Sequence, residues 1–222
     1  MTTNYQLPAK VQQIMYIRKY VEEQMPRLIY HNPAHAQDVA HTAYVIASCE
    51  GLNSREQFIA ETAGWLHDVV YKSFAKDNEE QSCADATRIM RLIGYRPTDI
   101  ADVNKMIMAT KLGTAPSSRL EMVIQDADLW NLGTNECFER SEAFRTELGV
   151  PANEKWYGGL AQLLNNHSYK TEFAQRLLTP GLLENRAIAK LMYDSAKQNN
   201  SQSIPRQTDA KHEGSRNPME VC

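Results

Sequence analysis

Between Tyr30 and Asp68 the chain concentrates side chains that bind metal ions and move protons. The stretch Tyr30-His31-Asn32-Pro33-Ala34-His35-Ala36-Gln37-Asp38-Val39-Ala40-His41, followed later by Trp65-Leu66-His67-Asp68, holds four of the six histidines. Imidazole and carboxylate are donors that borderline divalent ions accept, and their density here predicts a metal site built by two neighbouring helices. A third element should supply the last ligand. The segment Gln125-Asp126-Ala127-Asp128-Leu129-Trp130-Asn131 sets two acids inside an otherwise apolar helical pattern, where an unpaired buried carboxylate would be costly.

The elements that must position these groups read as helices. From Pro8 to about Met25, Val11, Ile14, Met15, Ile17 and Val21 recur at helical spacing, and Pro26 ends the run. Asn32 and Pro33 cap and open a second helix, which puts His35 at its N-terminal end and Val39, Ala40, Ala43, Ile46 and Ala47 on one face, as far as Gly51. Ser54 and Gln57 read as a capping box for a third helix, whose face of Phe58, Ile59, Thr62, Ala63, Leu66 and Val69 places His67 and Asp68 beside it near its end. Tyr71 to Lys76 reads as a loop over the site, with Lys72 and Lys76 as candidate phosphate contacts and Arg145 a further one. Asp77 to Ser82 opens the next helix, which stops at Gly94. Glu79 in its first turn either orients an attacking water or simply offsets the helix dipole.

Another helix spans Pro97 to Ala109. In the helix that starts at Arg119, about 100° per residue puts Leu120, Val123, Ile124 and Ala127 on the buried stripe and Asp128 at its edge, which favours Asp128 as the ligand. Asp126 points away, and is either a helper of the catalytic site or a solvated acid. Cys137 to Leu148, the residues around Tyr157 to Leu164, Tyr169 to Leu178, and Leu182 to about Lys197 read as further helices. With no alternating strand, the fold class is an all-α, single-domain bundle over residues 1–197 with a metal cleft between helices. The polar stretch 198–222, without an aromatic residue, is expected to be a disordered tail.

Composition narrows the partners. With 42% apolar and 23% charged residues the chain reads as globular. A net charge of −3 and a pI near 6.1 give no overall attraction to nucleic acid or to an anionic membrane, so an anionic substrate must be held by local cations. No apolar run approaches the roughly 18 residues of a spanning helix, and the start of the chain lacks the layout of a signal peptide, which suggests a cytoplasmic location. Cys49, Cys83, Cys137 and Cys222 show no Cys-x-x-Cys spacing and read as reduced packing residues. A homo-oligomer is compatible with these features.

A histidine, the adjacent His67-Asp68 pair and a distant aspartate, in that order, resemble the HD superfamily of metal-dependent phosphohydrolases. The fuller likeness is to small bacterial proteins described as predicted metal-dependent HD phosphohydrolases. Their His-Asp-Val-Val-Tyr, Asn-Glu-x-x-Ser and Asp-Ala-Asp-Leu-x-x-Leu-Gly segments correspond to His67–Tyr71, Asn78–Ser82 and Asp126–Gly133, within a similarity from roughly Leu7 to Tyr193. Tyr30-His31-Asn32-x-x-His35-Ala36-x-Asp38-Val39, and Ala127-Asp128-Leu129 with Asn131, are also similar to class I cyclic-nucleotide phosphodiesterases.

The resemblance implies an HD-type bundle in which His35, His67, Asp68 and Asp128 hold one divalent ion, whether Mn, Fe, Mg, Co, Ni or Zn. Two neutral imidazoles and two carboxylates leave a doubly charged ion with no residual charge, and a water bound there becomes acidic enough to attack phosphorus. It also implies His31 as general acid, since an imidazole titrates near working pH. Where the small bacterial proteins carry a histidine after an Ala-Thr pair, this chain has Ala109-Thr110-Lys111, which removes a ligand for a second ion and offers Lys111 to phosphate. The implied activity is hydrolysis of a phosphate ester or anhydride of a small molecule, a nucleotide first among them. A cyclic-nucleotide phosphodiesterase, and a nucleotide- or metal-binding regulatory module without turnover, are the alternatives.

Overall fold

Side-chain caps and prolines divide the chain into helices. The computed structural model describes residues 7–202, and among them the regular elements are α1 (Ala9–Gln24), α2 (Pro33–Cys49), α3 (Ser54–Leu66), α4 (Asn78–Leu92), α5 (Pro97–Ala109), α6 (Arg119–Asp128), a 3-10 turn (Trp130–Gly133), α7 (Cys137–Glu147), α8 (Glu154–Asn166) and α9 (Glu172–Gln202). The described residues thus form an all-α, single-domain fold with no strand. No described helix is long and apolar enough to cross a membrane.

Asn32 starts α2: its Oδ1 accepts the N–H groups of Ala34 and His35 at 3.0 and 3.1 Å, while its amide donates to the Leu28 and Ile29 carbonyls. Pro33 follows at a position where a missing N–H costs nothing. At α3 the cap is Asn53, with Glu56 accepting the Asn53 N–H at 2.8 Å, and not the expected pairing of Ser54 with Gln57. The Asn53 oxygen reaches two amides at once, and Gln57 donates instead to the Leu52 carbonyl.

The expected break between Leu178 and Leu182 is absent, and α9 runs unbroken through Pro180. Burial of Leu178 and Leu182 on either side outweighs the one hydrogen bond that proline removes. A Cβ on Gly181 would strike the Gly133 carbonyl, so this glycine seats α9 directly on the 3-10 turn. Residues 198–202, expected in the tail, extend this helix, while 203–222 with Cys222 lie outside the described residues.

Two apolar cores result. The larger joins α1 to α6 around Ile17, Ile46, Ile59, Leu66, Met106 and Ile124; the smaller joins the 3-10 turn to α7, α8 and α9 around Leu132, Cys137, Leu164 and Leu182. Trp130 packs against both. Within the larger core α2 and α3 approach backbone to backbone: a Cβ on Gly64 would collide with the main chain of Ala40. That contact sets His35 and His67 side by side.

Candidate metal centre

Three helices deliver the donors. His35 stands in the first turn of α2, fixed by the Asn32 cap; His67 and Asp68 follow directly on α3; Asp128 ends α6. The His67 Nδ1–H donates to the Gly64 carbonyl at 2.8 Å, which sets the tautomer and leaves Nε2 facing the other donors.

His35 Nε2 and His67 Nε2 lie 3.3 Å apart, and Asp128 Oδ1 is 3.3 Å from the first and 3.4 Å from the second. Asp68 Oδ2 is 3.1 Å from His67 Nε2 and 3.9 Å from His35 Nε2. Ligand atoms at about 2.1 Å from one ion stand roughly 3.0–3.4 Å from each other. His35, His67 and Asp128 match that spacing as a trio, while Asp68 meets it toward His67 and stands farther from His35. Two imidazole nitrogens that face each other this closely oppose lone pair to lone pair unless a proton or cation lies between them. With two carboxylates alongside, a divalent cation is the occupant that balances charge. The residues present therefore fit a divalent ion.

The same proximity acts on protons. Burial works against charge on His67, yet Asp68 and Asp128 overcome it and carry the imidazole well above its ordinary value. Burial alone would raise both carboxyls, but His67 beside Asp68, and His35 with His67 beside Asp128, hold both below the usual carboxylate range.

His31 lies just outside this set, its Nε2 3.7 Å from Asp68 Oδ2. Its Nδ1–H donates to Glu147 Oε1 at 2.6 Å, while Glu147 Oε2 accepts the N–H groups of Tyr30 and His31 at 2.8 and 2.9 Å. Tyr71 stacks on the imidazole with ring centres 3.5 Å apart, and the Phe144 ring meets it edge-on at 5.5 Å. Burial pulls His31 below its ordinary value, although Asp68 and Glu147 act the other way. Sequence reasoning missed Glu147, which is 116 residues from His31. The available signal was the run Cys137, Arg140, Phe144 and Glu147, whose spacing puts four side chains on one face of α7.

The structure thus brings together His31, His35, His67, Asp68 and Asp128. Asp126 corrects both expectations made for it. It is fully buried, and its carboxylate accepts the N–H groups of Lys170 and Thr171 and the Thr171 hydroxyl, at 2.7 to 3.0 Å. It points away from the donors as the helical wheel requires, but toward the start of α9 and not toward solvent. Burial raises its carboxyl against the pull of those bonds.

Glu79 is half-buried in the first turn of α4, where its charge, after burial, Glu147 and Asp68, helps push the Tyr71 hydroxyl up. Lys72 and Lys76 are exposed on the loop. Lys111 is engaged by Glu80 at 2.7 Å and the Lys76 carbonyl at 3.0 Å, and Arg145 by Glu142 and the Val150 carbonyl. These pairings explain why neither Lys111 nor Arg145 joins the cluster.

Beside Asp128 opens a cavity of about 300 Å³ that shares His35 and Asp128 with the donor set and is otherwise walled by Tyr30, Trp130, Asn131 and Arg140, among others. A larger groove of about 1120 Å³ between α8 and α9 contains none of the donors.

No family model matches the chain, and no curated protein matches it. Solved structures similar to it include Bacillus subtilis YpgQ in complex with ADP, 22% identical over 90% of this chain and 98% of that one, with a TM-score of 0.61. A further crystal structure of Bacillus subtilis YpgQ is 20% identical over 89% and 99% of the two chains, also with a TM-score of 0.61. The chain has the helical fold of these proteins.

Proposed function

We propose that this protein is a metal-dependent phosphohydrolase that cleaves a phosphate ester or anhydride of a small molecule, with a nucleotide as the first candidate. The observation that carries the reading is the convergence of His35, His67 and Asp128, with Asp68 beside His67 and with His31 next to Asp68 and held by Glu147. A divalent ion held by those four residues supplies positive charge to the phosphate oxygens and acidifies water. His31 is placed to pass a proton from Nε2 to the leaving oxygen. Glu147, fixed on Nδ1, favours the imidazolium form that carries that proton, and Tyr71 and Phe144 hold the ring plane and keep water from its faces.

The ADP bound to YpgQ, a protein of the same fold, supports a nucleotide substrate here. The test is phosphate release from linear and cyclic nucleotides with Mn, Mg, Co or Ni added in turn. Hydrolysis is expected with at least one ion, and His31→Ala should lower kcat by about 10²-fold or more with ion affinity unchanged. An ion-loaded protein that hydrolyses nothing would instead be a binding module.

A further inference from the structure

The cavity beside Asp128 has the wrong charge for a phosphate chain. Arg140 is the cation in its lining, and its guanidinium is already shared by Asp38 at 2.7 Å and Glu136 at 3.3 Å. With Asp128 taken up by the donor set, the two remaining carboxylates still outnumber the one guanidinium, and a polyphosphate lodged here would meet net repulsion. His41, also in the lining, adds at most one further positive charge when protonated.

What the walls offer instead suits a neutral, planar, hydrogen-bonding group. Tyr30 and Trp130 contribute aromatic surface, Asn131 and Asn135 amides, and Thr42 and Thr134 hydroxyls. Phe173 stacks on Trp130 with ring centres 6.2 Å apart. Among the described residues, nothing hydrogen-bonds the side-chain amides of Asn131 and Asn135, so their donors and acceptors are available to a ligand. A cavity of about 300 Å³ stands at the small end of ligand pockets, large enough for a base with its sugar. It also borders the donors directly, through His35 and Asp128.

We propose that this cavity is a nucleoside pocket. The base lies against Trp130 with its polar edge toward Asn131 and Asn135, and the sugar hydroxyls donate to Asp38 and Glu136, which Arg140 holds in place. The phosphate groups of a nucleotide then extend toward the metal donors and His31, away from the carboxylates of the rim. The purpose of the pocket rests on the phosphohydrolase reading, but nucleoside binding is measurable without turnover.

The experiment is calorimetric titration of adenosine, guanosine, cytidine and uridine, none of which carries a phosphate, into the wild type, Thr42→Trp and Asn131→Leu. Binding of divalent ion to each variant serves as the check on folding. The first substitution fills the cavity; the second removes an amide while keeping the number of side-chain heavy atoms. At least one nucleoside should bind the wild type and lose about tenfold or more in affinity in both ion-binding variants. Wild type that takes up no nucleoside at millimolar concentration, or equal affinity in an ion-binding Asn131→Leu, would overturn the pocket. Nucleoside binding with no phosphate hydrolysis under any ion would defeat the phosphohydrolase reading and leave the pocket standing.

Discussion

The floor of the site and its wall are held by different forces. On the floor, α2 and α3 meet through their backbones at Gly64 and Ala40, and the donors His35 and His67 are almost entirely buried. The wall, α7, buries only Cys137 and reaches the floor through side chains: Arg140 to Asp38, Glu147 to Tyr30 and His31, and Phe144 against the Tyr30 ring at 5.4 Å. A close-packed backbone contact fixes donor spacing as tightly as an ion demands. The partly exposed Arg140–Asp38 pair holds less firmly and rearranges at little cost, whereas the Glu147 carboxylate is itself nearly buried against His31. On the proposed reading, ion binding would belong to the floor, and proton handling and the shape of the cavity to the wall.

Breaking the floor should have the largest effect. Gly64→Ala forces α2 and α3 apart and should cost about 2–3 kcal/mol, even after the gain of about 1 kcal/mol in helix propensity, and ion affinity should fall with it. Urea denaturation and calorimetry check both, and a fully stable variant would remove the distinction between floor and wall. Glu147→Gln, in the wall, keeps an oxygen for the backbone amides but loses the charge beside His31. It should lower kcat by about tenfold and leave ion affinity as in the wild type; a loss of ion binding would show that the wall also sets donor geometry.

The smallest effect belongs to His167, which ends α8 far from the floor. Burial first, then Lys170 and Arg186, pull its imidazole from 6.5 down to about 4, and among the described residues its Nε2 has no hydrogen-bond partner. The folded protein keeps this group neutral where the unfolded chain protonates it. Its contribution to stability is therefore whole above about pH 6.5 and is lost as the pH falls toward 4. Thermal midpoints between about pH 7 and pH 5 should decline less steeply in His167→Gln than in the wild type, and parallel slopes would contradict this.

Features governed by near neighbours could be read from the sequence. Asn32 with Pro33, Pro97 and Gly94 mark helix ends by chemistry that acts within a turn, and the wheel position of Asp128 put its side chain on the side where His35 and His67 lie. Features governed by distant partners could not. Nothing near Glu147 or Arg140 in the chain announces His31 or Asp38, more than 100 residues away. Asp126 read as a helper of the catalytic site or a solvated acid because the hydrogen bonds it accepts come from Lys170 and Thr171, and α9 read as two helices because Gly133, the surface that Gly181 needs, lies in another element. The cap at Asn53 was missed for a different reason: two adjacent residues can both serve, and geometry chooses between them.

The most direct test uses the two acids of α6. Equilibrium titration of Mn or Co into the wild type, Asp128→Ala and Asp126→Ala, with urea denaturation of each, separates a metal donor from a structural carboxylate two residues away. The wild type should bind about one ion per chain, Asp128→Ala should lose that binding with its fold intact, and Asp126→Ala should keep it while losing about 3 kcal/mol of stability. Wild type that binds no ion, or two variants that behave alike, would contradict the account.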